Sequence, residues 1–193
     1  MAVVDEVIAF WLTEVGPKGW YSGGDALDAT IRERYLPLWQ SAYDYGLRSW
    51  LTRPRGVLAY LIVTDQFPRN MFRSDAQAFA TDAMALRTAK QAIDQKTDLK
   101  VGEPERQFFY MPLMHSECLT DQDRSVRMML TRMPETGASN LLHAKAHREI
   151  IRKFGRFPYR NDAFGRESTE DENRFINQGG YGRLVKSLGE NAR

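Results

Sequence analysis

The longest uninterrupted apolar stretch of this 193-residue chain runs from Val57 to Val63. With its flanks, Gly56 to Phe67, it is the most apolar helix that the sequence predicts. A helix that is apolar on all sides is buried at the centre of a protein. We therefore predict a central helix over residues 56–67, with the other helices packed around it.

Apolar residues at helical spacing predict further helices on both sides of this one. The predicted ranges are residues 3–14, 25–46, 74–94, 104–114, 120–133, 140–154 and 169–178. Ser74 with Gln77, and Thr169 with Glu172, have the spacing of a capping box and mark two of these helix starts. No alternation typical of strands appears, so the predicted fold class is all-α, a single-domain multi-helix bundle over residues 1–178. Residues 179–193 contain four glycines, and we expect them to form a flexible tail.

Charge and composition exclude several classes of partner. The 27 basic and 25 acidic residues are interspersed, so we expect no nucleic-acid partner. Asp5 and Glu6 lie where a signal peptide would carry positive charge, and the apolar run is too short to span a membrane. We therefore expect a cytoplasmic protein with no membrane partner. No phosphate-binding glycine loop or dinucleotide fingerprint is present, so no cofactor is predicted.

A second constraint is the stop after the helix at residues 140–154. Gly155 follows the last apolar position, where a left-handed residue costs least without a Cβ. Pro158 lacks an N–H and favours an extended conformation at Phe157, so the helix does not resume. We expect Phe157, which is too apolar for water, to anchor this turn in the core.

The charge around this turn is positive. Residues 152–166 carry five basic side chains and one acidic side chain. If Phe157 is buried, Arg156 and Arg160 are drawn to partly buried positions. Two interpretations remain: a helix stop with solvated arginines, or a guanidinium cluster that requires carboxylates or a bound anion.

Asp65 lies at the C-terminal end of the predicted central helix, where it faces unfavourable carbonyl dipoles. It requires a cation: Arg69 is the local candidate, and we expect the partner to be Arg156 or Arg160 from the turn after Gly155. Two segments also share a pattern, Phe67-Pro68-Arg69-Asn70 and Phe157-Pro158-Tyr159-Arg160-Asn161, in which Phe-Pro predicts a stiff stop and Asn caps the turn that follows. We assign to a structural network Asp65, Gln66, Asn70 and Asn161.

Several motifs, in the same order along the chain, resemble those of the DUF924 family, a bacterial group of unknown function that also reaches some eukaryotes. They are Asp65 to Asn70 (DQFPRN), His115 to Glu117 (HSE), and His147 followed by Phe154 to Pro158 (FGRFP) and Arg160-Asn161. The resemblance covers most of the chain, from Phe10-Trp11 to Gly165-Arg166-Glu167-Ser168. It implies an all-helical fold similar to tetratricopeptide-repeat proteins, and it brings no established activity.

The chain departs from the family pattern at two positions. It has Tyr159 where the family often has His, and His143 where an aromatic residue is more usual. If the family's histidine titrates or binds metal, that role is not expected at position 159.

Metal binding is one candidate for the chemistry of the histidines. His143 and His147 lie four residues apart on one helix face, and His115 with Glu117 would complete four ligands. However, the segment lacks the Glu of an H-E-x-x-H site, and its cationic surroundings oppose a divalent cation. We therefore predict no metal site.

Anion binding with acid–base chemistry is the preferred candidate. We assign catalytic roles to His115, Glu117 and His147. We assign the binding of a small carboxylate or phosphate to Arg69, Arg156, Arg160 and Arg166. The alternative is a non-catalytic helical scaffold that binds a peptide or protein, with the same residues in a structural salt-bridge network. A ligand site requires these residues to line a solvent-reachable pocket, whereas a scaffold requires them to be sealed and paired.

Overall fold

Helices make up the secondary structure of the computed structural model, which describes residues 2–190. The α-helices, α1 to α11 in order, are Ala2–Ala9, Gly16–Gly19, Asp25–Tyr43, Pro54–Leu61, Phe67–Met71, Asp82–Asp94, Met111–Met114, Leu119–Arg132, Ala138–Phe154, Glu170–Asn177 and Gly180–Glu190. Two π-helices are Phe10–Val15 and Ile62–Gln66, and the 3-10 helices are Arg48–Thr52, Ala76–Phe79, Asp98–Lys100, Glu105–Phe109 and Pro158–Arg160.

The predicted all-α class is confirmed, because residues 2–190 contain no strand. The similarity to tetratricopeptide-repeat hairpins stays a prediction. None of the described helices is both long and apolar enough to cross a membrane. The chain divides into two compact units, Met1–Pro112 and Leu113–Arg193. A single domain over residues 1–178 likewise stays a prediction.

The predicted central helix lies in the core of the first unit. Residues 56–67 are all buried, as expected for a segment that is apolar on every side. The ring of Phe67 lies 5.6 Å from that of Trp11 and 4.7 Å from that of Tyr35, measured between centroids. Aromatic contacts of this kind add to the burial of apolar area, so this cluster stabilises the first unit.

The predicted stop at Phe67-Pro68 is wrong. The π-helix Ile62–Gln66 leads directly into α5, and the chain stays helical through Met71. Proline has no N–H, so Pro68 cannot donate to the carbonyl of Thr64 in the usual i to i−4 register.

A side chain replaces the donor that Pro68 lacks. The hydroxyl of Thr81 donates to the Thr64 carbonyl at 2.6 Å, and Trp39 Nε1 donates to the same hydroxyl at 3.2 Å. Thr64 and Thr81 are both fully buried, where an unmade hydrogen bond is costly. Because the Thr81 hydroxyl takes the place of the missing N–H, the helix can continue past Phe67-Pro68.

Two other predicted helix starts are also corrected. The range 74–94 begins with the short 3-10 helix Ala76–Phe79, capped by the Asp75 carboxylate rather than by Ser74, and α6 starts at Asp82. The range 104–114 is divided into Glu105–Phe109 and α7, since α7 has Pro112 at its second position. The helix ends at Met114, so His115 and Glu117 lie in the loop before α8.

The second unit contains the predicted glycine stop. Gly155 has a φ of +70° and its N–H donates to the carbonyl of Ile151 at 2.8 Å, which is the left-handed cap expected at the end of α9. Phe157 has no exposed surface and packs with Ile150 and Ile151. The prediction that Phe157 anchors the turn in the core is confirmed.

The expected flexible tail differs from the structure. Residues 180–190 form α11, which packs against α9, and Tyr181 and Leu184 lie against the core of the second unit. The apolar residues of this segment recur at helical spacing, and their packing outweighs the low helix propensity of its glycines. Residues 191–193 lie outside the described part of the chain.

Candidate functional site

In the first unit, the predicted polar residues form a compact group around Asp65. The Asp65 carboxylate is buried, accepts a hydrogen bond from Gln66 Nε2 at 2.6 Å, and lies 3.7 Å from the guanidinium of Arg69. Arg69 also donates two hydrogen bonds to Asp82, at 3.0 and 3.1 Å. The carboxylates of Asp65 and Asp82 thus neutralise the charge of Arg69.

Asn70 belongs to a neighbouring group in the same unit. It donates to the carboxylate of Asp28 at 2.8 Å, and Arg73 forms an ion pair with that carboxylate. Burial raises the pKa of Asp28, but the hydrogen bonds from Arg73 and Asn70 outweigh it and hold the pKa below its ordinary value. Asp28 is therefore ionised, and its hydrogen bond with Asn70 ties α3 to α5.

In the second unit, Glu117 is hydrogen-bonded to the turn that follows Gly155. Its carboxylate accepts the backbone N–H of Phe157 at 2.8 Å and two hydrogen bonds from Arg166, at 2.7 and 3.0 Å. Burial raises the pKa of Glu117, but these hydrogen bonds outweigh it and the pKa is lowered. Glu117 is therefore ionised at neutral pH, and it is a poor proton donor.

Arg156 is paired in the same way with Glu172, at the start of α10. Its guanidinium donates to the two oxygens of Glu172 at 2.6 and 2.8 Å. Thr169 and Glu172 form the predicted capping box at the start of α10. The hydrogen bonds from Arg156, with help from the N–H of Thr169, lower the pKa of Glu172 to about 2.

Arg160 and Asn161 belong to the turn that follows Gly155, and both are buried. Asn161 is fully buried and donates to Ser168 at 2.9 Å and to Glu172 at 3.3 Å. Arg160 is 6 % exposed, and its guanidinium carbon lies 4.5 Å from the centroid of the Phe157 ring, in a cation–π contact. The prediction that the arginines of this turn are partly buried is confirmed.

His147 lies at a cavity of about 530 Å³ in the second unit. The cavity is lined by His147, Tyr159, Phe175, Ile176, Gly179, Gly180 and Tyr181. The ring of His147 contacts those of Tyr181, at 4.8 Å, and Phe157, at 5.4 Å. The volume of the cavity falls in the range of small-molecule sites, which is about 300–1,000 Å³.

The protonation of His147 follows from its contacts. Its Nδ1 lies 2.9 Å from the carbonyl oxygen of His143, and a carbonyl accepts hydrogen bonds only, so Nδ1 carries the proton. Burial lowers the pKa of His147 to about 3, and the nearby charge of Arg160 contributes. The ring is neutral at physiological pH, and its Nε2 offers a lone pair.

The other two histidines lie close by. The ring of His115 is 6.4 Å from that of His147, and His143 Nδ1 is hydrogen-bonded to the hydroxyl of Tyr181. Burial lowers the pKa of His143 as well. In residues 2–190, no three His, Cys, Asp or Glu side chains are arranged to hold a metal ion.

A second cleft, of about 560 Å³, lies in the first unit between α1 and the start of α4. Its carboxylate, Asp5, pairs with Arg55 at 2.8 Å, and both side chains are more than half exposed. A solvated ion pair of this kind contributes little free energy and selects no ligand. The cavity at His147 is therefore the better candidate.

Comparison with known proteins gives a family and one solved structure. Residues 7–180 match the model of a family described as bacterial protein of unknown function, DUF924. The chain belongs to the DUF924 family. It is similar to a solved protein of unknown function from Agrobacterium tumefaciens, ATU0120, with 35 % identity and a TM-score of 0.86 over 92 % of this chain and 98 % of that one. No curated protein matches the sequence.

In this DUF924 chain, each unit brings some of the predicted site residues together. The first unit joins Asp65, Gln66 and Arg69, and the second joins Glu117 to Arg166 and Asn161 to the Arg156–Glu172 pair. That all of them line one cleft stays a prediction. Sequence reasoning missed Asp82 as the partner of Arg69, and Tyr181, which lay in the expected tail.

Proposed function

We propose that this DUF924 protein binds a small, mostly apolar molecule in the cavity around His147, and that His147 contacts the ligand without acting as its acid–base catalyst. The observation that carries the proposal is that His147, whose Nδ1 is paired and whose Nε2 is an acceptor, lines a cavity of about 530 Å³ together with three aromatic residues. Apolar pockets with one or two placed polar groups are the usual form of small-molecule sites.

The pKa of His147 argues against a catalytic role. A general base works best when its pKa lies near the operating pH. With a pKa of about 3, the ring holds a proton on Nε2 too weakly to serve as an acid or base at neutral pH. A neutral hydrogen-bond acceptor is the role that fits it.

Three of the four arginines that the sequence assigned to an anionic ligand are already paired with carboxylates. Arg156 and Arg166 each donate two hydrogen bonds to a carboxylate, and Arg69 does the same with Asp82. A bound carboxylate or phosphate would have to displace these paired partners, which already satisfy the guanidinium groups. An uncharged ligand is therefore favoured over an anion.

These pairs favour a second candidate. If Arg69, Arg156 and Arg166 hold helix ends together, the protein is a non-catalytic helical scaffold for a peptide or protein partner. The exposed side chains of Tyr159 and Ile176 at the cavity would then contact a side chain of that partner. This candidate leads if no small molecule enters the cavity.

The test is a fragment screen by ligand-observed NMR with the wild type and two variants. Tyr159→Ala removes a cavity wall that is 48 % exposed, so the fold should tolerate it. Phe164→Ala is the matched control, since Phe164 is 42 % exposed in the same unit and does not line the cavity. We expect fragment signals that Tyr159→Ala weakens and Phe164→Ala leaves unchanged. Signals unchanged in both variants would contradict the proposed site.

Thermal shift provides a second measurement. A fragment present at about 100 times its dissociation constant should stabilise the folded protein by about 2.7 kcal/mol. Tyr159→Ala should reduce that shift without changing the melting temperature of the free protein by more than a few degrees, whereas a fragment that binds elsewhere should stabilise both proteins equally.

A further inference from the structure

We infer that the cavity selects flat, uncharged molecules that donate an N–H or O–H hydrogen bond to Nε2 of His147. This inference rests on the proposed function, because it names the class of ligand that the same cavity takes. It is carried by three features of the cavity: the tautomer of His147, the arrangement of the aromatic rings, and the position of the nearby cations.

The tautomer fixes the polarity of the contact. Because Nδ1 donates to the His143 carbonyl, Nε2 of the neutral ring is an acceptor. Among residues 2–190, no group is hydrogen-bonded to Nε2. Nε2 is also not one of the polar atoms that are fully buried without a partner, so it is reachable from outside. A ligand that donates to Nε2 supplies the hydrogen bond that no protein group makes. A ligand with an acceptor at that place forms no hydrogen bond, because two lone pairs face each other.

The rings favour a flat ligand. His147 stands edge-on to Phe157, at 79°, and Phe157 is stacked on Tyr159 at 5.3 Å with 28° between the ring planes. Gly179 and Gly180 line the cavity with backbone instead of side chains, and both have positive φ values, +98° and +49°. Phe157 is buried behind Tyr159, so an aromatic molecule can offer its face to Tyr159 and its edge to Nε2.

The nearby charges disfavour a cationic ligand. Three aromatic residues, Tyr159, Phe175 and Tyr181, line the cavity, a composition also found in sites for methylated ammonium groups. However, the Arg160 guanidinium lies 4.5 Å from the Phe157 ring centroid, and Lys153 Nζ lies 6.0 Å from that of Phe175. Arg160 thus lies on Phe157, behind Tyr159, and Lys153 lies near Phe175, so both cations repel a further positive charge close to the cavity.

The test compares two bicyclic molecules of nearly the same shape. Indole donates an N–H, whereas benzothiophene has sulfur at that position, donates nothing and is the more apolar of the two. We expect indole to bind the wild type about 3- to 10-fold more tightly, the ratio that one neutral hydrogen bond gives. Titrations followed by ¹H–¹⁵N NMR would measure both dissociation constants and show whether the shifted signals belong to the cavity.

Two variants assign the effect to His147. His147→Phe keeps a ring and removes the acceptor, so the ratio should fall to about 1. Tyr159→Ala should weaken both probes and keep the ratio, and it serves as the informative variant if His147→Phe does not fold. Phenyltrimethylammonium and benzoate, as cation and anion, should each bind more weakly than indole.

The outcomes separate this inference from the proposed function. If indole and benzothiophene bind the cavity equally, if the indole preference survives in His147→Phe, or if either charged probe binds more tightly than indole, the inference is overturned and the proposed site stands. If no fragment shifts the signals of the cavity residues, the proposed function fails and the inference fails with it.

Discussion

Two segments of this chain share the pattern Phe-Pro with Arg and Asn close behind, and they adopt different backbones. Phe67-Pro68 lies inside a helical run from Pro54 to Met71, whereas Phe157-Pro158 follows a left-handed glycine and opens a short 3-10 turn. Each phenylalanine is fully buried. The burial of the phenylalanine is therefore common to both segments, and the end of the helix is not.

The residue before each proline shows where the difference arises. Phe67 has φ and ψ of −59° and −42°, in the α region that a following proline disfavours, and Phe157 has the extended values −90° and 107°. At Phe67 the chain remains helical, and Thr81 satisfies the carbonyl that Pro68 leaves without a donor. At Phe157, Gly155 has already ended the helix. A proline therefore need not end a helix where another donor replaces its missing N–H, and in the second segment the glycine, not the proline, ends the helix.

The largest expected effect tests what the two segments share. Phe67→Ala and Phe157→Ala should each lower the free energy of unfolding by about 3–5 kcal/mol, because each removes a fully buried ring. Urea denaturation would measure both. Phe164→Ala, at an exposed ring, should change it by less than about 0.5 kcal/mol. A loss below about 1 kcal/mol at either buried position would show that the segment has no phenylalanine anchor.

Acid stability tests what differs around the two rings. Phe67 packs against Trp11 and Tyr35, whereas Phe157 packs against His147, whose pKa is lowered to about 3. Between the ordinary pKa of about 6.5 and about 3, the unfolded chain binds a proton that the folded ring does not. His147 should therefore make stability fall as the pH falls below about 6.5, by up to about 1.4 kcal/mol per pH unit.

The measurement is the free energy of unfolding at several pH values from about 7 to 5. His147→Phe should remove most of this slope, and His143→Gln should keep the contribution of His147. The range above about pH 5 separates the histidine from Glu172, whose pKa of about 2 lies below its ordinary value, so that its contribution is lost only as the pH falls from about 4.5 toward 2. Parallel curves for wild type and His147→Phe would contradict the neutral, buried ring.

The fold was more predictable than the site, for physical reasons that these residues illustrate. The apolar run at Val57 and the glycine stop at Gly155 are local patterns, and local patterns are visible in a sequence. The hydrogen bond from Thr81 to Thr64 joins residues 17 positions apart. The residues next to Pro68 therefore did not indicate that the helix would continue. α11 was not predicted because its glycines have low helix propensity. The helix is stabilised by the packing of its apolar side against α9, which is a tertiary effect.

The same limit applies to the candidate site. The arginines around Gly155 predicted a need for carboxylates, but not which ones, and Glu172 was recognised as a capping residue without its pairing to Arg156. His147 was singled out from its spacing to His143, yet its tautomer depends on a carbonyl of its own helix and its low pKa on burial. Spacing indicates which groups share a face, whereas charge state requires the packed structure.

A medium effect tests the explanation of the first segment. Thr81→Val removes the donor to the Thr64 carbonyl and the acceptor of Trp39 Nε1, so it should cost about 1–3 kcal/mol. Pro68→Ala restores an N–H that can reach the Thr64 carbonyl. The loss from Thr81→Val should therefore be smaller in the Pro68→Ala background, by about 1 kcal/mol in a double-mutant cycle. Additive losses would mean that the hydroxyl does not substitute for the missing N–H.

The smallest expected effect tests the stop of the second segment. Gly155 has a φ of +70°, and a Cβ added there would meet no atom within 4 Å, so any cost of Gly155→Ala is one of backbone conformation. That cost is about 1 kcal/mol. Gly182 lies within α11, has no positive φ and has equally open space around it, so Gly182→Ala should stabilise the protein by about 0.5–1 kcal/mol. Two substitutions of the same atoms in one unit should thus shift the urea midpoint in opposite directions. If Gly155→Ala stabilises the protein as Gly182→Ala does, the left-handed residue is not what ends α9, and the difference between the two Phe-Pro segments must come from Pro158.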